Sequence, residues 1–172
     1  APVWIVDPVD GTRNFAKGDR KFCVMVALVH RRQSILGCIL DPLGERCAVA
    51  SRGDGAWMVF SGGREERLSV LGGRPCAEMR GALNFRFLSS PLKEEMKERA
   101  KTAVGEHFRY GCAGHEYLTM LTGAAHFAMY PKNMPWDHVA GTLLHEEAGG
   151  FHARFNKMPY IPHQLDGGLL LA

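Results

Sequence analysis

The sequence predicts an α/β domain of the layered α+β sandwich type, and three observations carry that expectation. The first half reads as short apolar strands separated by turn residues. The second half alternates strands with segments of helical length. No internal repeat or low-complexity linker separates them. One domain over residues 1–172 follows, with an antiparallel meander over about 1–80 and a mixed α/β half over about 81–172.

In order, Val3 to Val6 is a short buried strand, and Gly11 to Lys17 is one or two helical turns. Phe22 to His30 is almost continuously apolar and β-branched, the pattern of a strand covered on both faces. Arg32-Gln33 turns the chain into a strand over Ser34 to Asp41. Pro42-Leu43-Gly44-Glu45 and Gly53-Asp54-Gly55 are turn chemistry, so Arg46 to Ser51 and Ala56 to Phe60 continue the meander. Beyond it, Ala82 to Phe87 is a strand, and Pro91 to Val104 is a helix with proline in its first turn. Gly114 to Leu121 is a helix that ends near Gly123, and Ala125 to Tyr130 is a strand. Pro135 to Glu147 is a helix stopped by Gly149-Gly150, and Gly168 to Ala172 is a last apolar strand.

Composition removes several function classes. Hydrophobic residues make up 46% and charged residues 23%, the balance of a globular rather than a disordered chain. A net charge of +3 does not call for a nucleic-acid partner, and Arg31-Arg32 falls at a turn where a solvated loop is expected. The longest apolar stretch, Phe22 to Val29, is too short to span a bilayer, so no membrane association is expected. Ala1-Pro2 leads straight into a strand, so no secretory leader is expected. Five scattered cysteines without a CxxC pair fit a reducing, cytoplasmic setting. Neither His115-Glu116 nor His145-Glu146 continues into a zinc-binding HExxH.

The chemistry concentrates in Trp4 to Phe15. An apolar strand ends in Asp7 and Asp10, and Gly11-Thr12 then opens a helix. Carboxylates can hold hard cations through oxygen, and backbone N–H groups at a helix start attract anions, a pairing suited to phosphate chemistry. Two neighbouring carboxylates repel unless cations neutralise them. Asp137, in the first turn of the Pro135 helix, is the third acid in a suitable setting. Seen singly, Asp-Pro-Val-Asp-Gly would be an Asx turn and Asp137 a helix cap. Their conjunction favours a site.

These residues also carry a resemblance. Trp4 to Phe15 resembles the WIVDPVDGTxNF signature of the inositol monophosphatase family, Mg²⁺-dependent, lithium-sensitive-type sugar phosphatases. Trp136 to Gly150 resembles its second signature, WDxAAGxxxxxEAGG, and Arg109 to Gly114 its Gly-rich phosphate-side segment. The resemblance implies the sugar-phosphatase fold and hydrolysis of a small phosphomonoester by metal-activated water, without a phosphoenzyme. It implies that Asp7 bridges two Mg²⁺ ions, that the Val9 carbonyl joins the first, and that Asp10 and Asp137 hold the second. Gly11 and Thr12 would present N–H groups to the phosphate, with the Thr12 hydroxyl orienting the attacking water. Gly111, Cys112, Ala113 and Asp137 would contact substrate. It further implies a homodimer.

The resemblance also has departures. A Glu ligand and a further acid that the family carries ahead of its first signature are not in this sequence, nor are its two N-terminal helices. An under-liganded first metal site, little activity from this chain alone and an exposed apolar face are expected. A metal- or phosphate-binding remnant is the alternative function. Tyr130 stands where inositol-hydrolysing members have a Glu; Lys132 could meet a second substrate phosphate or be a loop lysine. His115 and Glu116 could approach the pocket or lie on an ordinary helix face. A haloacid-dehalogenase-type phosphatase ranks lower, because its DxDxT spacing differs, and a calcium EF-hand loop fails on ligand spacing.

Overall fold

The computed structural model describes residues 1–172. Six strands form an antiparallel meander: β1 (Val3–Asp10), β2 (Cys23–His30), β3 (Gln33–Asp41), β4 (Arg46–Ser51), β5 (Gly55–Phe60) and β6 (Glu65–Arg67), paired in chain order. A short helix, α1 (Thr12–Ala16), connects the first two. The second sheet has the order β10-β11-β9-β7-β8. Its strands are β7 (Arg80–Leu83), β8 (Glu106–Phe108), β9 (Phe127–Tyr130), β10 (His152–Arg154) and β11 (Leu169–Leu171). β7 lies parallel to both β8 and β9, whereas the β9–β11 and β11–β10 pairs are antiparallel. Helices α2 (Ser90–Ala103), α3 (Ala113–Leu121) and α4 (Pro135–Glu147) complete the fold.

The layering follows from which faces are apolar. Met25, Ala27, Ile39, Ala48 and Met58 of the meander share one buried core with Leu118, Leu121, Val139, Leu143 and Leu144 of α3 and α4. Ala128, Leu169 and Leu171 of the second sheet join the same core, so the two helices lie between the sheets. A smaller cluster, Leu83, Phe85, Ala100, Phe127 and Met129, packs α2 on the other face of the second sheet. Close approach of α4 to the meander needs Gly37: a Cβ there would meet the Ala140 carbonyl oxygen at 2.8 Å.

The structure corrects several boundaries. β1 runs on through Asp10, and it is not buried: Val3, Trp4 and Val6 are 56%, 61% and 50% exposed on an edge strand. β2 is covered on one face only, because Cys23, Met25 and Ala27 point to the helices while Val24, Val26 and Leu28 face outward, half-buried. The strand expected over Ala82 to Phe87 is Arg80–Leu83, and the following turn frees Arg86 and Phe87. The three-residue strands β6, β8 and β10 are additions; each is too short to show a period.

Candidate active site

The site begins with an irregularity in β1. Asp7 pairs with Met25 and Asp10 with Cys23, so β1 holds one residue more than its partner across this interval. The extra residue makes a β-bulge at Pro8-Val9, on an edge strand where proline's missing N–H costs no ladder bond. In a regular strand, side chains three residues apart face opposite sides. The bulge re-aims them, and the Val9 N–H donates to Asp7 Oδ1 over 3.0 Å. Gly11 then turns the chain at φ +82°, a left-handed conformation that favours glycine, and α1 starts at Thr12. The Gly11 N–H has no acceptor in the chain, while the Thr12 hydroxyl donates to the Val9 carbonyl over 2.9 Å.

Asp137 arrives from the first turn of α4, and carboxylate oxygens of Asp7, Asp10 and Asp137 lie within 4.8 Å of one another. Burial, then the Asp10 and Asp7 charges, push the Asp137 carboxyl up to about 7. Burial also raises the Asp10 carboxyl, against the opposing effect of its hydrogen-bond donors. Three hard oxygen donors that repel one another fit a hard divalent cation such as Mg²⁺.

A second group, Asp10 with Cys23 and Cys112, is fully buried and reads differently. Contact with Cys23 and burial hold the Cys112 thiol well above its ordinary range, so it remains a protonated donor. Cys112 Sγ lies 3.2 Å and Cys23 Sγ 3.7 Å from Asp10 Oδ2. The Cys112 side chain therefore points behind Asp10 rather than toward a substrate, leaving only its backbone near the cleft.

Gly111, Cys112 and Ala113 line a cleft of about 170 Å³ together with Asp10 and Asp137. Asn14 ties α1 to this wall, donating to the Lys21 and Tyr110 carbonyls over 2.7 and 3.0 Å. Glu116 also reaches the cleft. Burial raises its carboxyl, while the Tyr110 and Gly111 N–H groups donate to it over 2.8 and 3.3 Å. His115 instead turns toward the Phe22 carbonyl, with Nε2 3.2 Å away. Asn84, Arg86, Phe87 and His138 line the cleft without having been singled out from sequence; the first three follow β7 in a turn with no motif.

The sequence profile described as "Inositol monophosphatase family" matches residues 1–170. The chain belongs to that family. It is 33% identical over 150 residues to a histidinol-phosphatase of Mycobacterium tuberculosis, a match covering 86% of this chain and 56% of that protein. It is 27% identical over 161 residues to an inositol-1-monophosphatase of Bacillus subtilis, covering 92% and 58%. The chain thus spans a little over half the length of these curated relatives. Staphylococcal IMPase-II has the same fold: the forms bound to 2′-AMP and to inositol monophosphate superpose with TM-scores of 0.88 at 23% identity. Those matches cover 100% of this chain and 64% and 65% of the respective structures. No helix is long and apolar enough to cross a membrane.

Proposed function

We propose that this protein hydrolyses a small phosphomonoester with Mg²⁺ held by Asp7, the Val9 carbonyl, Asp10 and Asp137. The observation that carries the reading is the convergence of three carboxylates within 4.8 Å, beside a left-handed Gly11 whose N–H is free. The family's phosphatases, including the histidinol-phosphatase and inositol-1-monophosphatase relatives, support it.

Mg²⁺ bound here would neutralise the carboxylates and supply Lewis-acid activation of water and of the leaving oxygen. The chain's own groups do the rest. The Gly11 N–H, with that of Thr12, receives a phosphate oxygen. The Thr12 hydroxyl spends its proton on the Val9 carbonyl, so its lone pairs can accept from the attacking water and orient it. Asp7 is fixed by the Val9 N–H and Asp10 by the Gly114 N–H, so neither has to be ordered when substrate arrives. Gly111, Cys112 and Ala113 offer backbone to the substrate along the cleft wall. The reading includes a homodimer in a reducing cytoplasm, to which five free thiols are suited.

Inorganic phosphate release from inositol 1-phosphate, a sugar phosphate, histidinol phosphate and a nucleoside bisphosphate, with and without Mg²⁺, tests the reading. Calorimetric Mg²⁺ binding runs beside it, because turnover by this chain is expected to be low. Asp10→Asn and Asp137→Asn should each abolish tight Mg²⁺ binding and lower any turnover by about a hundredfold or more. Mg²⁺ binding indifferent to both substitutions would overturn the assignment.

A further inference from the structure

A second cavity, of about 470 Å³, lies toward the other end of α4 from Asp137. It is lined by Thr142, Leu143 and Glu146 of α4, by the β2–β3 turn, and by β10 with the loop that follows it. Glu146 stands two and a half helical turns beyond Asp137, about 14 Å along the axis. The cavity shares no lining residue with the active-site cleft, and its volume suits a small organic molecule.

Its lining carries excess positive charge. Arg52 gives both terminal nitrogens to Glu146, over 3.1 and 3.2 Å, and its Nε donates to the Ser34 carbonyl over 2.7 Å. That pair uses the one acid of the lining. Arg32 and Lys157, from opposite walls, form no ion pair within the chain. Their backbone is unusual as well. Arg32 at φ +67° and Lys157 at φ +66° are two of only four residues other than glycine in the left-handed region. Glycine adopts that conformation without strain, so a fold that holds long cations there invites a functional reading.

An exposed Arg or Lys is ordinarily just a solvated group, but the rest of this lining is built for a ring. Phe151 is 72% exposed, more than any other large apolar side chain of the protein. Tyr160 lines the same cavity, its ring 6.0 Å from the His152 imidazole and edge-on to it. His152 makes no hydrogen bond within the chain, and its Nδ1 is buried without a partner. Burial lowers this imidazole, which leaves it neutral at pH 7 with one donor and one acceptor. A flat ring entering here would cover Phe151, and an anionic group attached to it would meet the two free cations.

We propose that this cavity binds a flat organic anion, a ring system bearing a carboxylate or a phosphate. The ring lies against Phe151 and Tyr160, and the anion meets Arg32 and Lys157. The proposal goes beyond the phosphatase reading and does not depend on it, since the two sites have no residue in common.

The test is isothermal titration of the chain in EDTA with 1-naphthyl phosphate, 1-naphthoate, 1-naphthol and inorganic phosphate. Without metal the three carboxylates repel anions from the cleft, and salt near physiological strength screens unspecific attraction. At least one of the two ringed anions should bind about tenfold more tightly than both 1-naphthol and inorganic phosphate, the scale of one charge-assisted contact. Arg32→Gln and Lys157→Gln, checked for folding by circular dichroism, should each weaken that anion about threefold or more. Arg109→Gln, in the wall of the active-site cleft, should leave its affinity unchanged. Binding of only one of the ringed anions supports the site and assigns its head group. The proposal is overturned if no probe binds, or if 1-naphthol or inorganic phosphate binds as tightly as the ringed anions. It is equally overturned if neither Arg32→Gln nor Lys157→Gln weakens the anion, or if Arg109→Gln does so in their place, which would put the anion in the cleft.

Discussion

The Gly114 backbone N–H donates to Asp10 Oδ2 over 2.6 Å, joining the first turn of α3 to the end of β1. The thiols of Cys112 and Cys23 approach the same oxygen. One oxygen of Asp10 is thus occupied from behind, and the other is left for the cleft. Groups that orient a ligating carboxylate are the outer shell of a metal site.

Cys112→Ala removes the nearer thiol and leaves the Gly114 amide. It should weaken Mg²⁺ binding by about tenfold, the low end for loss of an outer-shell partner. Cys112→Ser restores a donor and should recover part of the loss. Calorimetry on the three proteins decides it; equal affinities would show that Gly114 alone orients Asp10.

The raised Asp137 carboxyl gives the metal-free chain a definite pH dependence. In an unfolded chain an Asp releases its proton near 4, whereas the folded chain holds the Asp137 proton up to about 7. Between those values the folded state binds more protons than the unfolded state. This contribution to stability is therefore complete below about pH 4 and is lost as pH rises through 7. Asp10, also raised, acts in the same direction. Buried His138 and His145, whose imidazoles burial lowers to about 4, act in the opposite direction below about pH 6.5. The melting temperature in EDTA should therefore fall from pH 5 to pH 8 relative to that of Asp137→Asn, which keeps both histidines. Mg²⁺ should recover the loss at pH 8, because a ligand that binds only the folded state stabilises it. A melting temperature that rises across this range relative to Asp137→Asn without metal would contradict the assignment.

Asp137→Asn separates stability from function at one position. The amide removes a charge that Asp7 and Asp10 repel, so the metal-free protein should melt higher than the unaltered chain at pH 8. The same substitution should erase the stabilisation by Mg²⁺. Thermal unfolding with and without metal reads both effects. A lower melting temperature in EDTA would mean that Asp137 is held by favourable contacts rather than strained by its neighbours.

The three converging carboxylates were legible in the sequence because they sit in two contiguous runs, Trp4 to Phe15 and Trp136 to Gly150. The spacing of Asp7 and Asp10 was visible, but the bulge that brings their oxygens together was not, since it is defined by register against Cys23 and Met25. Cys23 lies in the apolar run of β2 and is a core residue, whereas its approach to Asp10 beside Cys112, 89 residues away, is set by the fold. Arg86 and Phe87 were read into a strand, and only the early end of β7 at Leu83 releases them to the cleft. The meander was legible from its turn residues and an exposed apolar face was expected, whereas its place on the outer side of β1, β2 and β3 was a property of packing.

That outer face leads to a further expectation. Trp4 pairs with Leu28 and Leu28 with Leu36, which makes an apolar row across β1, β2 and β3. Trp4 is 61% and Leu36 40% exposed, and Val6 and Leu40 flank the row. An apolar surface of this kind drives association. The chain should self-associate as concentration rises and should bind a hydrophobic dye, and Leu36→Lys should weaken both. Light scattering across a dilution series tests this; a monomer at every concentration would count against it.

Gly37 links the fold to the chemistry, because α4 carries Asp137 and rests on β3 at this residue. A Cβ at position 37 would lie 2.8 Å from the Ala140 oxygen and 3.2 Å from its Cα, both backbone atoms that cannot swing aside as a side chain can. Gly37→Ala must therefore push α4 away from the meander. Overpacking of this kind costs about 1–3 kcal/mol, which urea unfolding would register as a lower midpoint. The displacement also moves Asp137 away from Asp7 and Asp10, which stay with β1, so Mg²⁺ affinity should fall together with stability. Gly72→Ala is the comparison, since nothing lies within 4 Å of the added carbon and its loop carries no ligand. It should leave both quantities close to those of the unaltered chain. If Gly37→Ala lowered stability but kept full Mg²⁺ affinity, α4 would have to shift without carrying its first turn along, and the rigid coupling of Gly37 to Asp137 would be wrong.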